Sequence, residues 1–202
     1  MTGDVHKTAG LAAAGPQPDG LPPGLSDALR RAADLSRVSD PRLTRALAWW
    51  QGLQEDSALI PDRIRLDPTQ IPDLLAWAIL WDVLPAAEGT ATAPGRLLYR
   101  CRLAGTMLND FYGREARGQW LHEQYRDESV AMQVEYDAVV RLRRPLCSEH
   151  RMSWADKPFY RYLRLMLPFT HRAAAGRSDT PALRNAPDRV ALIFSVISFI
   201  GE

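Results

Sequence analysis

The order of strand-like and helix-like segments is the feature that most constrains how this chain folds. Two strand patterns, at 79–84 and 96–103, precede a helical stretch that ends in a long helix at 127–143. Three more strand patterns follow, at 146–154, 159–167 and 189–199. Strands interrupted by one group of helices predict an α+β domain built on an antiparallel sheet.

The segment 96–103 carries the clearest strand pattern. Polar or bulky positions there alternate with four apolar side chains, which are Leu97, Tyr99, Cys101 and Leu103. Because side chains on a strand alternate between faces, we expect Leu103 to share the apolar face with Tyr99. In the long helix at 127–143, Met132, Tyr136 and Val139 share one face at helical spacing.

The N-terminal region differs in composition from the rest of the chain. The first 25 residues hold five glycines, four prolines and no aromatic residue. Such a composition is typical of disorder, so we interpret residues 1–38 as a disordered or weakly helical tail. The domain then spans 39–202 and opens with a helix at 40–54, where Asp40 suits the N-cap and Pro41 the first helical position.

The last strand is apolar on both faces and therefore needs cover on both sides. The long helix covers one face, and the helix at 40–54, from its own or a symmetry-related chain, covers the other. We expect a homodimer, since twofold pairs are the commonest assembly. Trp49 lies off the apolar stripe of the helix at 40–54, so it makes either an edge contact within the fold or a dimer contact.

Charge and hydropathy exclude several classes of protein. Lys and Arg number 25 and Asp and Glu 24, for a net charge of +1, which argues against a nucleic-acid partner held through its phosphates. The longest apolar run, Val190–Ile200, has eleven residues, whereas a membrane span needs about 20. The N-terminus lacks the apolar core of a signal peptide, so we expect a cytoplasmic protein with no membrane partner.

Several short motifs resemble those of one protein family. They are Asp67-Pro68 to Ile71-Pro72, Leu80-Trp81-Asp82-Val83, Tyr99-Arg100-Cys101-Arg102-Leu103-Ala104-Gly105-Thr106, Gly113 with Gly118, and Leu165-Met166-Leu167-Pro168. Together with the element order they resemble a largely uncharacterised alphaproteobacterial family of PAS-like domains. The resemblance implies a five-stranded antiparallel sheet with helices inserted between strands 2 and 3. It also implies a sensory or interaction module whose output passes through a partner signalling protein.

Six aromatic residues are candidates for lining a pocket between the sheet and the inserted helices. They are Trp81, Tyr99, Phe111, Tyr112, Trp120 and Tyr136. Aromatic walls with a few polar groups suit a small organic ligand. The alternative, which we favour, is that these rings fill the core, where aromatic side chains supply much of the burial energy.

No cofactor is expected. Cys101 lacks the Asn-Cys-Arg-Phe-Leu-Gln surroundings of the flavin photosensors in this superfamily and fits better as a small buried hydrophobe. Haem PAS domains bind iron through a side chain such as histidine, and His122 is the best of the four histidines for that role. An exposed or structurally bonded histidine is the more usual outcome. Two cysteines without a C-x-x-C motif do not predict a zinc site.

These observations predict a non-enzymatic sensory, signalling or protein-interaction module. No complete phosphate-loop, hydrolase or zinc-protease motif occurs in the sequence. One alternative is a ligand-free docking adaptor, and another is a small enzyme in which His150 works with Glu149 or Asp156 as acid and base. Arg100 is a solvent-facing residue of its strand, for which the family resemblance implies an ion pair with a neighbouring acidic residue.

Overall fold

The computed structural model describes residue 35 and residues 38–54, 60–86, 96–151, 161–171 and 189–200. The α-helices are α1 Pro41–Gly52, α2 Pro72–Leu75, α3 Thr106–Tyr112, α4 Leu121–Tyr125 and α5 Ser129–Leu142. The strands are β1 Ala78–Pro85, β2 Leu97–Ala104, β3 Leu146–Arg151, β4 Arg161–Thr170 and β5 Val190–Ile200. Short 3-10 turns lie at Arg63–Arg65, Pro68–Gln70 and Arg126–Glu128. The predicted tail at 1–38 lies outside the described residues, apart from Leu35 and Val38.

The five strands form one antiparallel sheet in the order β2-β1-β5-β4-β3. Helices α3, α4 and α5 lie between β2 and β3 in the chain. The α+β class and the placement of helices between strands 2 and 3 are thereby confirmed. Strands β4 and β5 are buried along most of their length because helices pack on both faces of the sheet.

The two faces of the sheet carry different helices. We call the face that carries Trp81 the inner face; helices α4 and α5 lie over it, since Tyr125 and Tyr136 contact the Trp81 ring. The opposite, outer face carries Phe169 and Phe194, against which α1 packs. The hydrophobic core therefore continues on both sides of one sheet.

Helix α1 belongs to the outer face of its own chain. Asp40 caps it by accepting a hydrogen bond from the Leu43 backbone N–H at 3.0 Å. Leu43 and Trp50 are buried, and the Trp50 indole N–H donates to the Pro168 carbonyl at 2.8 Å. The second cover that β5 needs thus comes from the same chain, and the homodimer stays a prediction.

A β-bulge interrupts the pairing of β1 and β2. Trp81 pairs with Cys101 but its neighbour Leu80 pairs with Leu103, which leaves Arg102 as the extra residue. Beyond such a bulge the side chains of the longer strand change faces. Leu103 is consequently 47% exposed, and the expectation that it shares the apolar face with its strand neighbours is wrong.

The helices are short compared with a bilayer. The longest of the helices that the structure describes, α5, has 14 residues and extends about 21 Å, close to the width of a five-stranded sheet. Within the described ranges, no helix is long and apolar enough to cross a membrane.

Candidate functional site

An arginine is completely buried on the inner face. Arg164 lies in β4, and its side chain is 0% exposed. Strand alternation places it on the same face as Tyr162 and Met166. Removing a guanidinium from water costs several kcal/mol in proteins unless it is paired and hydrogen-bonded. Its partners therefore define the site.

One carboxylate oxygen, Oε2 of Glu135, makes polar contacts with this arginine and with two other side chains. It lies 2.6 Å from Arg164 Nη2, 2.8 Å from Ser148 Oγ and 3.2 Å from His150 Nε2. Glu135 belongs to α5, Ser148 and His150 to β3, and Arg164 to β4. We call these four residues the ionic cluster. A single oxygen atom thus ties one helix to two strands.

The ionisation states in the ionic cluster follow from burial and charge. Burial alone would raise the pKa of Glu135, but hydrogen bonds from His150 and Ser148 and the charge of Arg164 lower it to about 2. Burial, together with the positive charge of Arg164, lowers the pKa of His150 below 6.5 despite the nearby carboxylate. At pH 7 Glu135 is therefore ionised and His150 neutral, and the cluster carries no net charge.

Tyrosine rings and a thioether complete the surroundings of Arg164. Its guanidinium carbon lies 5.2 Å from the ring centre of Tyr136 and 5.7 Å from that of Tyr125. Its Nη1 lies 3.4 Å from the Tyr125 hydroxyl and 2.9 Å from the Met132 sulfur. Desolvated cation–π contacts contribute about 2 kcal/mol each. The tyrosine rings therefore stabilise the positive charge of Arg164 in addition to the carboxylate of Glu135.

Three of the six aromatic residues considered as pocket-lining candidates pack together under α5. The Tyr136 ring centre lies 5.6 Å from that of Trp81 and 5.1 Å from that of Tyr99. All three side chains are buried, and the Tyr99 hydroxyl donates to Asp137 at 2.6 Å. These rings occupy the interior beside the ionic cluster.

The other three aromatic residues lie elsewhere. Phe111 and Tyr112 contact each other on α3 with ring centres 5.8 Å apart, and Phe111 packs on Phe199 of β5. Trp120 lies beside β2, where the guanidinium of Arg100 is 5.7 Å from its ring centre. Arg100 is exposed, and its Nε donates to the Gly118 carbonyl at 3.1 Å.

Three further residues singled out in the sequence have clear positions. His122 is exposed on α4. Cys101 is buried, and burial raises the pKa of its thiol to about 12, as suits a small hydrophobe. Trp49 is half-buried against Phe169 and Phe194 of its own chain, with ring centres 5.9 and 5.5 Å away. Trp49 thus makes an edge contact within the fold, and a dimer contact through it stays untested.

The acid–base pair considered for an enzyme does not involve Glu149. That residue lies on the opposite face of β3 from His150, is exposed, and accepts a hydrogen bond from Arg161 Nε at 2.7 Å. Asp156 lies outside the described residues. His150 instead faces the interior and Glu135.

Arg164 of the ionic cluster and three buried side chains around it carry polar atoms that have no hydrogen-bond partner in the part of the chain that the structure describes. These atoms are Trp81 Nε1, both amide atoms of Gln124, the Tyr162 hydroxyl and Arg164 Nε. Trp81 and Arg164 both lie against the Tyr125 ring, and Gln124 precedes that tyrosine. A buried polar group left unpaired costs about 1–3 kcal/mol. Water or the polar atoms of a ligand are expected to meet them.

Sequence reasoning missed most of the ionic cluster. Arg164 occupies an inward position of a strand whose interior residues are otherwise apolar, and Glu135 adjoins Tyr136 on the apolar face of the long helix. Opposite charges at core-facing positions of two elements that must pack together predict a buried pair, because neither charge is stable there alone. The sequence did point to His150, but with different partners.

The strand order and the helices between β2 and β3 define an α+β domain in which an antiparallel sheet carries a buried, charged interior. Residues 38–183 match the family model described as PAS domain. Because the match covers more than half of the chain, the protein belongs to the PAS domain family, whose members are generally non-enzymatic sensory modules. No curated protein and no solved structure matches the chain. The alphaproteobacterial branch of the family stays a prediction.

Proposed function

We propose that this chain is a non-enzymatic sensory module that takes a small polar organic molecule beneath α4 and α5. The unpaired buried polar atoms of Trp81, Gln124, Tyr162 and Arg164 carry this proposal. Most of them are N–H or O–H donors, and the rings of Trp81 and Tyr125 offer flat apolar surface beside them. A molecule with acceptor oxygens on a flat apolar body satisfies both requirements.

Arg164 would couple the binding of such a ligand to the packing of α5. Its Nε is unpaired, whereas its Nη2 holds Glu135 of α5 at 2.6 Å. The guanidinium is rigid and planar, so an acceptor drawn to Nε changes the geometry of the contact with Glu135. Ligand binding would then alter how α5 packs on the sheet.

Native mass spectrometry of the purified full chain tests this function. We expect a bound small molecule at near one per chain, identified after denaturation. Trp81→Phe removes one N–H donor and keeps an aromatic ring, so it should weaken the affinity for the molecule by about tenfold, as for the loss of one hydrogen bond, and less of the chain should carry it. Trp77→Phe is the matched control, since Trp77 lies 4.1 Å beneath Arg42 at the end of the sheet.

Two outcomes would redirect the functional assignment. A chain that carries no molecule, and whose melting temperature does not change in a small-molecule extract of its host cells, fits the ligand-free docking adaptor instead. A measurable turnover that His150→Ala abolishes would favour the small enzyme.

We further propose that the output passes to another chain, as a homodimer or through a signalling partner. Helix α1 packs over β4 and β5 on the outer face. A groove of about 450 Å³ lies on the same face over β1 and β2, with apolar walls that include Leu75, Leu80 and Leu103. Exposed apolar surface of this kind is typical of interaction sites.

A further inference from the structure

The ionic cluster concentrates three donors on one atom that joins a helix to the sheet. Arg164, Ser148 and His150 all approach Glu135 Oε2, within 3.2 Å. Glu135 gives the middle of α5 a charged contact with β4 and hydrogen bonds with β3. A change in the charge of any one donor therefore acts on the attachment of α5.

His150 is the member of the cluster that solvent protons reach first. Its side chain is 9% exposed, against 0% for Arg164 and 3% for Glu135. Its ring stacks on Tyr162 with centres 5.1 Å apart. Ser148 donates its hydroxyl proton to Glu135, so the Ser148 oxygen accepts from His150 Nε2 at 2.8 Å. This assignment puts the ring hydrogen on Nε2, and Nδ1 is the atom that takes up a further proton.

Proton uptake changes the charge balance of the cluster. With His150 neutral, Arg164 and Glu135 cancel. With His150 charged, two cations share one buried carboxylate, and His150 Nε2 is only 3.2 Å from Arg164 Nη2. Glu135 of α5 and Glu128 beside its start favour the proton, whereas burial and Arg164 oppose it; Tyr162 faces the ring as a neutral group. An uncompensated buried charge is costly, and water entering around a displaced α5 removes that cost.

We propose that the ionic cluster is a proton-operated latch, in which protonation of His150 loosens α5 from β3 and β4. The proposal deepens the sensory function by naming the proton as one input. The role of the proton as a signal rests on that proposed function. The protonation-dependent contact between α5 and the sheet does not rest on it. The two-state element is the contact of α5 with the sheet, and the proton biases it towards release.

Two measurements on the wild-type full chain test the latch without any variant. NMR of the histidine ring protons follows the protonation of His150 from pH 8 to pH 4.5. Amide hydrogen exchange, corrected for the intrinsic effect of pH, follows the protection of α5 over the same range. We expect α5 protection to fall as the pH falls, because burial and Arg164 hold the pKa of His150 below its ordinary value in the latched state and release of α5 removes both causes. The midpoint of this fall should match that of His150, while α1 protection stays constant.

Matched histidine variants separate the latch from general acid sensitivity. His150→Gln keeps an N–H donor for Ser148 but does not titrate, so α5 protection should no longer depend on pH. His122→Gln, at the exposed histidine of α4, should behave like the wild type. Constant α5 protection in the wild type, midpoints that differ, or a pH effect retained in His150→Gln would each overturn the latch. None of these results bears on whether a molecule copurifies with the chain, so the latch and the ligand fail separately.

Discussion

At the scale of single residues, the unusual feature is a full charge in the core of a small domain. Arg164 keeps its charge because Glu135 neutralises it at 2.6 Å and two tyrosine rings face its guanidinium. A buried ion pair is a weak source of stability compared with apolar packing, but breaking it by removing one partner is strongly destabilising. The pair therefore sets a constraint on which helix position meets which strand position.

A double-mutant cycle tests that constraint. Arg164→Met leaves the charge of Glu135 buried without a partner, and Glu135→Met does the same to Arg164. Each single variant should therefore lower the free energy of unfolding by about 3–5 kcal/mol. The double variant should lose less than either single variant, because no charge is left unpaired. Urea unfolding at pH 7 measures all four proteins. Losses that simply add would show that the two side chains do not interact.

The stability of the chain should also depend on pH through Glu135. Its pKa is about 2 in the folded protein, against 4.5 as its ordinary value. The folded state holds this proton less tightly, so the contribution is complete above about pH 5 and is lost as pH falls towards 2. The difference corresponds to about 3 kcal/mol.

Urea unfolding at several pH values between 6 and 2 measures that contribution. Glu135→Gln should be destabilised at pH 6 and should lose much less stability than the wild type on acidification. Glu149→Gln changes an exposed glutamate on β3 and should keep the wild-type profile. If the two variants show the same pH profile, Glu135 is not the residue responsible.

At the scale of elements, the junction between β2 and α3 sets where the inserted helices begin. Gly105 lies there with its backbone N–H donating to the Ala78 carbonyl at 2.8 Å. A Cβ atom at this position would overlap the backbone carbonyl oxygens of Leu75 and Ala76. Helix α2 and the start of α3 approach this closely only because residue 105 has no side chain.

Replacement of Gly105 by alanine should therefore be costly. The obstructing atoms are backbone, so the two segments must separate, and we expect a loss of about 3 kcal/mol or more. Gly52→Ala is the control: a methyl group at that position would have no atom within 4 Å, and alanine favours the helix by up to about 1 kcal/mol. Thermal unfolding compares the two. Equal melting temperatures would contradict the close approach at Gly105.

At the scale of the whole molecule, one sheet is covered by different helices on its two faces. The inner face is covered by α3, α4 and α5, and part of the outer face is covered by α1. The remaining apolar groove over β1 and β2 is the surface on which the proposed association depends. Trp49 packs within its own chain, so Trp49→Glu would disturb α1 as well as any dimer.

Leu103→Glu is the sharper test of association. Leu103 is 47% exposed in the groove, and a charge there should weaken a homodimer without unfolding the chain. Val130→Glu places the same charge at a residue that is 76% exposed on α5 and should leave the dimer intact. Sedimentation at micromolar concentration measures both. A wild-type monomer would refute the homodimer, and a dimer unchanged by Leu103→Glu would refute this face as its contact.

Local signals in the sequence were enough to establish the elements and their order. Period-two alternation at 96–103, helical spacing at 127–143 and the Asp40-Pro41 start of α1 are such signals, and each element formed within a few residues of its predicted bounds. The motifs at 67–72, 80–83 and 99–106 also indicate the PAS family, without any knowledge of tertiary contacts.

Which side chains meet was settled by the packing of one element on another. Glu135 and Arg164 lie 29 residues apart, and their pairing depends on how α5 crosses β3 and β4. The bulge at Arg102, which turns Leu103 towards solvent, depends on the register between β1 and β2. Alternation and spacing repeat within one element, whereas register and crossing geometry arise only when two elements pack. The candidate site consists of contacts between elements, and for that reason its residues could be identified only from the tertiary structure.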